Sequence, residues 1–414
     1  MARKKIIAGI DIGTCKIRAV VGEVTGDEVH ITGFDSQPSY GVKKGSIINM
    51  DSTVDSIKRA IKQAQQMARA DISAAVVGIS GSHIRGMANS GVVPLSSREV
   101  RRSDLAAVLD AAKAVVIPTD REVVQIVPQE FVVDNQAGIK KPLGMSGVRL
   151  ESRVYIITGA VATAQNVVQC LNRSGLKVQD IILQHLAAAE AVLTRDEREL
   201  GCALVDIGGG ITDIAVFSRG AIRFCSVLPI GGNHITSDIA IGLRTPLAEA
   251  EELKCDSGTA VMVKMRQSDT MEVVSIGENG SRTVSKETLC RIINARVEET
   301  FQLVKKELEQ AGCRLDSLSS GIVLTGGTAM LSGICQVAQQ VLGVPVRIGY
   351  PRGVSQLGDV HHPMYAGAVG LTYFTAREHE SSIRSRGKNA ATGARGASCS
   401  CIGDKMKQWF AEAF

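Results

Sequence analysis

The chain has 414 residues, 44% hydrophobic and 21% charged, an ordinary globular balance in a protein long enough for two or more packed domains. Aromatic residues make up only 3% and the net charge is +5 with no concentrated basic stripe, so nucleic acid is excluded as an expected partner. The ten cysteines are scattered without paired Cys-x-x-Cys spacing, which argues against zinc and for free thiols in a reducing cytoplasm.

No stretch approaches the length of a membrane span, and the apolar run after Met1-Ala-Arg-Lys-Lys is interrupted by Asp11, so it reads as a strand rather than a secretory leader. In chain order, 5–12 and 17–24 are β-branched runs joined at Gly13-Thr14, a hairpin signal. Residues 51–70 have helical spacing, and Ala74–Ile79 reads as a buried strand. The segment 84–152 differs in character: short strands, a helix near 103–113 and turn-rich pieces predict an inserted subdomain, after which the first half resumes at Val154–Ala160. A second half begins near Gly201 and repeats the opening pattern as Ala203-Leu-Val-Asp206-Ile-Gly-Gly-Gly followed by Ile214–Phe217. The expected organisation is a first half over 1–83, resuming at 153–192 and near 358–376, with the insert at 84–152. The second half covers 193–244 and 313–357 and carries a small subdomain at 245–312 with a helix at 285–311. Residues 377–401, rich in Ser, Arg, Gly and Ala, read as a flexible linker.

A strand that ends in aspartate and turns on glycine presents backbone N–H groups to which phosphate oxygens bind. Asp11-Ile-Gly13-Thr14 and Asp206-Ile-Gly208-Gly209-Gly210 are two such turns, whose carboxylates could hold a hydrated Mg²⁺ between them, and Asp213 adds a third carboxylate. Singly, each fits a plain hairpin equally well; two copies at half-chain separation favour the phosphate reading. A third glycine turn, Leu324-Thr-Gly326-Gly327-Thr328, lies between a strand and a helix-like stretch at 331–341, the arrangement that brings a nucleotide against backbone.

The final residues, 402–414, form an amphipathic helix in projection. Ile402, Met406, Trp409, Phe410 and Phe414 fall within an arc of about 140° at 100° per residue. This stripe predicts peripheral attachment to a lipid surface, weak for one helix and firmer for several together; docking on the protein's own body is the alternative.

The order of Asp11–Lys16, Leu183–Leu193, Asp206–Val216, Gly321–Ile334 and Gly358–Leu371 resembles the superfamily of actin, sugar kinases and chaperone ATPases. Asp206-Ile-Gly-Gly-Gly-Ile-Thr-Asp213, Gly231-Gly-Asn-His-Ile-Thr-Ser-Asp238 and Ala250-Glu-Glu-Leu-Lys254 resemble more closely the FtsA family of bacterial cell-division proteins, over essentially the whole length. The resemblance implies an α/β, actin-like ATPase fold: two related half-domains around a nucleotide cleft, with an inserted subdomain. It implies ATP and Mg²⁺, the metal held through water by Asp11 and Asp206. Gly13, Thr14, Gly208, Gly209 and Gly210 would bind the phosphates, with Lys16 and Asp213 beside them. Glu251 and Lys254 would line an adenosine pocket with Gly326, Gly327 and Met330, although their spacing alone fits a solvated helix pair. Gln184 would orient an attacking water, or is simply a polar residue opening a helix. The implied function is a polymerising scaffold, at most a weak ATPase, on the cytoplasmic face of the inner membrane at the division site. Its partners would be further copies of itself, other division proteins, membrane lipids and the C-terminal peptide of the tubulin-like protein FtsZ. The helix at 285–311 offers Arg291 and Arg296, with Lys305 and Lys306, to that peptide. A small-molecule kinase or a pilus-assembly ATPase of the same superfamily is the alternative; no carboxylate precedes Glu190 in Gln184-His185-Leu186 to serve a kinase as base.

Overall fold

The computed structural model describes residues 5–26, 28–262, 269–276, 280–354 and 358–389. Strands β1 (Lys5–Ile12), β2 (Lys16–Thr25) and β3 (Glu28–Pro38) form an antiparallel meander in which Asp11 stands opposite Arg18. A small ladder of β4 (Val42–Lys43) and β5 (Ser46–Ile47) leads into helix α1 (Met50–Ala68). Asn49 caps α1 by accepting the Ser52 N–H, Arg69 ends it in the left-handed region at φ 50°, and Val54, Ile57, Ala60, Ile61 and Ala64 bury one face. Full burial of an Ile or Val here is worth about 1.5–3 kcal/mol. Strand β6 (Ala74–Ile79) then returns parallel to β1.

The insert consists of β7 (Arg85–Pro94), α2 (Arg102–Lys113), β8 (Arg121–Val133), β9 (Gln136–Ile139) and β10 (Arg149–Ala160), in sheet order β7-β10-β8-β9. Its strands are not short: β8 has 13 residues and β10 has 12. Pro128 does not interrupt β8, because the register shifts there, with Arg153 opposite Glu130 and Val154 opposite Pro128, so that Gln129 is the extra residue of a bulge. Nor does the first half resume at Val154–Ala160. That stretch pairs with β8 throughout and with β7 as far as Thr158, and so belongs to the insert's sheet. The sequence misleads because both faces of β10 are buried: Val154 and Ile156 join the core with α2, while Tyr155 and Ile157 join the central core. The chain re-enters the first sheet through α3 (Val161–Arg173) and β11 (Lys177–Leu183), giving the order β11-β6-β1-β2-β3.

Helices α4 (Gln184–Val192) and α5 (Arg195–Leu200) lead to a second meander, β12 (Cys202–Ile207), β13 (Thr212–Ser218) and β14 (Ala221–Leu228). Helices α6 (Gly232–Gly242) and α7 (Leu247–Ser257), the ladder of β15 (Thr270–Val274) with β16 (Ser281–Ser285), and α8 (Lys286–Gln310) follow. Strand β17 (Ile322–Thr325), α9 (Ile334–Leu342) and β18 (Val346–Ile348) complete a sheet of order β14-β13-β12-β17-β18. Read outward from its meander, this is the topology of the first sheet, β3-β2-β1-β6-β11: three antiparallel strands, then two parallel ones. The two halves are therefore structural repeats. Between them α4 packs on α10 (Ala366–Asn389), where buried alanines such as Ala187, Ala188, Ala366 and Ala368 allow close approach.

Helix α10 also corrects the expected linker, since 377–389 is helix. The stretch contains no proline, and a helix already nucleated by the packed residues 366–376 adds about one hydrogen bond per residue without needing an apolar period. Residues 390–401 and the amphipathic segment with Ile402, Met406, Trp409, Phe410 and Phe414 lie outside the described residues.

Candidate functional site

The repeated topology places the first turn of each meander against the other. In the first, the Gly13 N–H donates to the Lys16 carbonyl at 3.1 Å; in the second, the Gly208 N–H donates to Ile211 at 3.0 Å. The turns lie so close that a Cβ on Gly209 would stand 2.2 Å from Cys15 Sγ, and one on Gly210 would stand 2.7 Å from Thr14 Oγ1. The third turn closes in from β17, where Gly326 has φ +88° and a Cβ would meet Asp206 Oδ1 at 2.3 Å. These turns, with Lys16, Arg18, Ser80 and Gln184, line one open cleft.

Its charge is unevenly distributed. Asp11 receives Arg18 Nη1 at 2.9 Å; burial raises its pKa, while Arg18 opposes the rise. Asp206 is pushed up to about 7, first by burial and then by the neighbouring Asp213 and Asp11. Asp213 accepts a hydrogen bond from the Ser80 hydroxyl, and His185 Nδ1 stands 3.7 Å from its Oδ1. Burial alone would lower the pKa of His185, but Asp213 and Cys225 outweigh it and hold it at about 9. The cluster is thus short of positive charge on the Asp206 side, an environment suited to a cation. Among the described residues no three His, Cys, Asp or Glu side chains are grouped to hold a metal directly. Gln184 lies against Gly78 and Gly367, and its carboxamide oxygen is buried without a hydrogen-bond partner.

Asp11, Gly13, Thr14, Lys16, Gln184, Asp206, Gly208, Gly209, Gly210, Asp213, Gly326 and Gly327 all line this cleft. Glu251, Lys254 and Met330 do not. Lys254 Nζ bonds Glu251 at 2.6 Å and Thr236 Oγ1 at 2.9 Å, placing the pair beside Gly232 behind the second turn, and Met330 is exposed at the end of the third. On α8, Arg291 is exposed and pairs with Glu287, whereas Arg296 is held inward by Asp238 on α6. Cleft residues not anticipated from sequence include Arg18, Ser80 and Cys15. Arg18 was legible in principle, because the hairpin register through Gly13-Thr14 sets it opposite Asp11.

The chain matches the family profile described as Cell division protein FtsA over residues 203–370, and the profile of the SHS2 domain inserted in FTSA over 81–158. It is 48% identical over 372 residues to the Cell division protein FtsA of Pseudomonas aeruginosa, with 89% of each chain covered. The chain belongs to the FtsA family of cell division proteins. Family members from Escherichia coli K12 and Bacillus subtilis are 41% and 40% identical, over 91% of this chain and 91% and 85% of theirs. Among solved structures it resembles the PilM–PilN type IV pilus biogenesis complex (TM-score 0.62, 17% identity, 89% of this chain and 98% of that one). It also resembles MreB5 of Spiroplasma citri bound to ADP (TM-score 0.57, 16% identity, 92% and 98%). These likenesses establish the actin-like ATPase fold, and at such identities the fold alone.

Proposed function

We propose that the chain is an ATP·Mg²⁺-binding scaffold of bacterial division that polymerises, tethers FtsZ filaments to the cytoplasmic face of the inner membrane at the division site, and helps recruit other division proteins. The observation that carries this reading is the meeting of three glycine turns and the carboxylates of Asp11 and Asp206 in one cleft between repeated halves. Asp11 and Asp206 would hold hydrated Mg²⁺, which supplies charge neutralisation for the phosphates. Gly13, Thr14, Gly208, Gly209 and Gly210 would take the phosphates, with Lys16 and Asp213 at their side. The adenosine would lie toward Gly326 and Gly327, with Glu251, Lys254 and Met330 at the rim. MreB5 of the same fold, crystallised with ADP, supports a nucleotide here. Gln184 is a neutral side chain that can orient water but cannot take its proton, so hydrolysis is slow and the nucleotide acts chiefly as a ligand favouring a closed, polymerising form.

The small subdomain at 245–312 would receive the FtsZ C-terminal peptide on α8. The exposed Arg291 is the better placed of the two arginines, since Arg296 already serves α6. Membrane attachment would come from 402–414 through Ile402, Met406, Trp409, Phe410 and Phe414. Among the described residues no helix is long and apolar enough to cross a membrane.

Electron microscopy on a lipid monolayer tests the whole reading. The unaltered protein with ATP and Mg²⁺ is expected to form filaments on the lipid. Trp409→Glu should leave ATP binding intact in calorimetry and empty the monolayer. A Trp409→Glu variant that still coats the lipid would sink the anchor, and absence of filaments from the unaltered protein would sink the scaffold.

A further inference from the structure

The inserted sheet belongs covalently to the first half but is docked on the second. It leaves the first sheet after β6 through Ser80–Ile84 and returns to it through α3. The face of its sheet away from α2 lies on β14, the edge strand of the second sheet, where Tyr155 and Ile157 share a core with Phe217, Ile222, Cys225 and Val227.

Polar contacts fix the docking. The buried Cys225 N–H donates to Tyr155 Oη at 3.0 Å, and Gln129 Nε2 donates to the Ile222 carbonyl at 2.7 Å. Lys140 Nζ holds both carboxylate oxygens of Glu199, at 2.8 and 2.7 Å, and Arg219 Nη1 stands 3.9 Å from the buried Glu130. Side chains of the insert thus satisfy backbone groups of an edge strand that would otherwise be open.

Both ends of this connection reach the cleft. Ser80, at the root of the insert, donates its hydroxyl to Asp213 of the second half. Asp213 lies on β13, which pairs with β14 and sets Ala215 opposite Cys225. The fully buried His185 is flanked by Asp213 and Cys225, and neither of its ring nitrogens has a hydrogen-bond partner in this arrangement. The carboxylate at the bottom of the cleft therefore touches the root of the insert directly and its docking site through one imidazole.

We propose that the inserted sheet is a clasp across the cleft: its docking on β14 and the closure of the two halves are one equilibrium. A ligand bound between the halves tightens the docking, and loss of docking weakens that ligand. The ligand is Mg²⁺·ATP, so the proposal rests on the function proposed above. Coupling of this kind is reciprocal in binding free energy, so either end reads the other.

The test uses the full chain, with Mg²⁺·ATP affinity read by calorimetry and docking read by hydrogen exchange at the Cys225 amide. In the unaltered protein, Mg²⁺·ATP is expected to slow that exchange. Tyr155→Phe removes the acceptor and should speed exchange and lower affinity about five-fold, at the lower end of such couplings. Lys140→Glu, an exposed change that the fold tolerates, should lower affinity about two- to three-fold through repulsion from Glu199. The swap of Lys140→Glu with Glu199→Lys should restore it. None of these residues lines the cleft. Faster exchange at Cys225 with unchanged affinity would overturn the clasp, as would a swap that rescues nothing. If Tyr155→Phe does not fold, the Lys140 and Glu199 variants decide alone. Failure of the unaltered protein to bind Mg²⁺·ATP would overturn the nucleotide reading, and the clasp with it; normal binding that the variants leave untouched overturns the clasp alone.

Discussion

The two meander turns are copies in topology but not in charge. At the first, Asp11 faces Arg18 across the hairpin, and Lys16 stands at the rim. At the second, the position opposite Asp206 is Asp213, so a carboxylate faces a carboxylate. Burial chiefly, and then the charges of Asp213 and Asp11, push the pKa of Asp206 up to about 7. Repetition of a backbone turn supplies two sets of amide donors, and divergence of one cross-strand neighbour divides the labour. The first half brings fixed positive charge to the site, while the second is left short of it, and a bound cation would make up the deficit.

The largest expected effect tests that division. Asp206→Asn should cost roughly 100-fold or more in Mg²⁺·ATP affinity, because it removes the carboxylate with no cation of its own. Asp11→Asn should cost about ten-fold, since the freed Arg18 remains beside the phosphates as a substitute charge. Calorimetry on both variants decides: equal losses would mean that the two turns act alike and that the charge asymmetry has no consequence for binding.

The pH dependence of the nucleotide-free protein sharpens the same point. Folding raises the pKa of Asp206 from 3.8 to about 7, so its contribution is fully present below the lower value and is lost as pH rises through 7. His185, raised from 6.5 to about 9, extends the loss in the same direction. Glu190 and Glu197, lowered by Arg198 and Arg347 against the cost of burial, act oppositely and weaken the fold only as pH falls below about 4.5. Between pH 5 and 8, therefore, thermal stability should decline by an amount on the order of a few kcal/mol. Asp206→Asn should flatten the decline and melt higher than the unaltered protein at pH 8. A flat profile in the unaltered protein would show that Asp206 and His185 do not carry these shifts.

Much of this contrast was legible before the fold was known. The Asp-x-Gly turns, their repetition and the third glycine turn are local patterns, and all three turns line the cleft. Helix α1, β6 and α8 follow from cap, period and β-branching. What sequence did not show depends on partners distant in the chain. The end of the insert was misplaced because Val154–Ile157 alternates between two cores that only assembly creates. Ser80 is an unremarkable loop serine until Asp213 arrives beside it. Glu251 and Lys254 have the right order along the chain, and the structure adds that they bond each other and Thr236. Spacing along a helix tells which residues are neighbours, and does not tell which way their charges are committed.

Lys16 gives the smallest and most discriminating effect. Lys254, which stands beside Gly232, is engaged by Glu251 and Thr236, whereas Lys16 on the first turn is exposed and joins no ion pair among the described residues. An exposed ammonium acts through solvent, where a single charge pair is worth about 0.2–1 kcal/mol and is screened by salt. Lys16→Ala should therefore weaken Mg²⁺·ATP by only about two- to five-fold at low salt. The difference from the unaltered protein should shrink when ionic strength is raised to about 1 M, where the screening length falls to about 3 Å. Lys254→Ala should respond differently: it removes a largely buried ammonium that bonds both Glu251 and Thr236, so its cost appears in thermal stability and is less sensitive to salt. If Lys16→Ala lost affinity 100-fold, or lost it equally at both salt concentrations, Lys16 would be a desolvated phosphate ligand, and the first turn would contribute a second fixed cation rather than one cation and a screened neighbour.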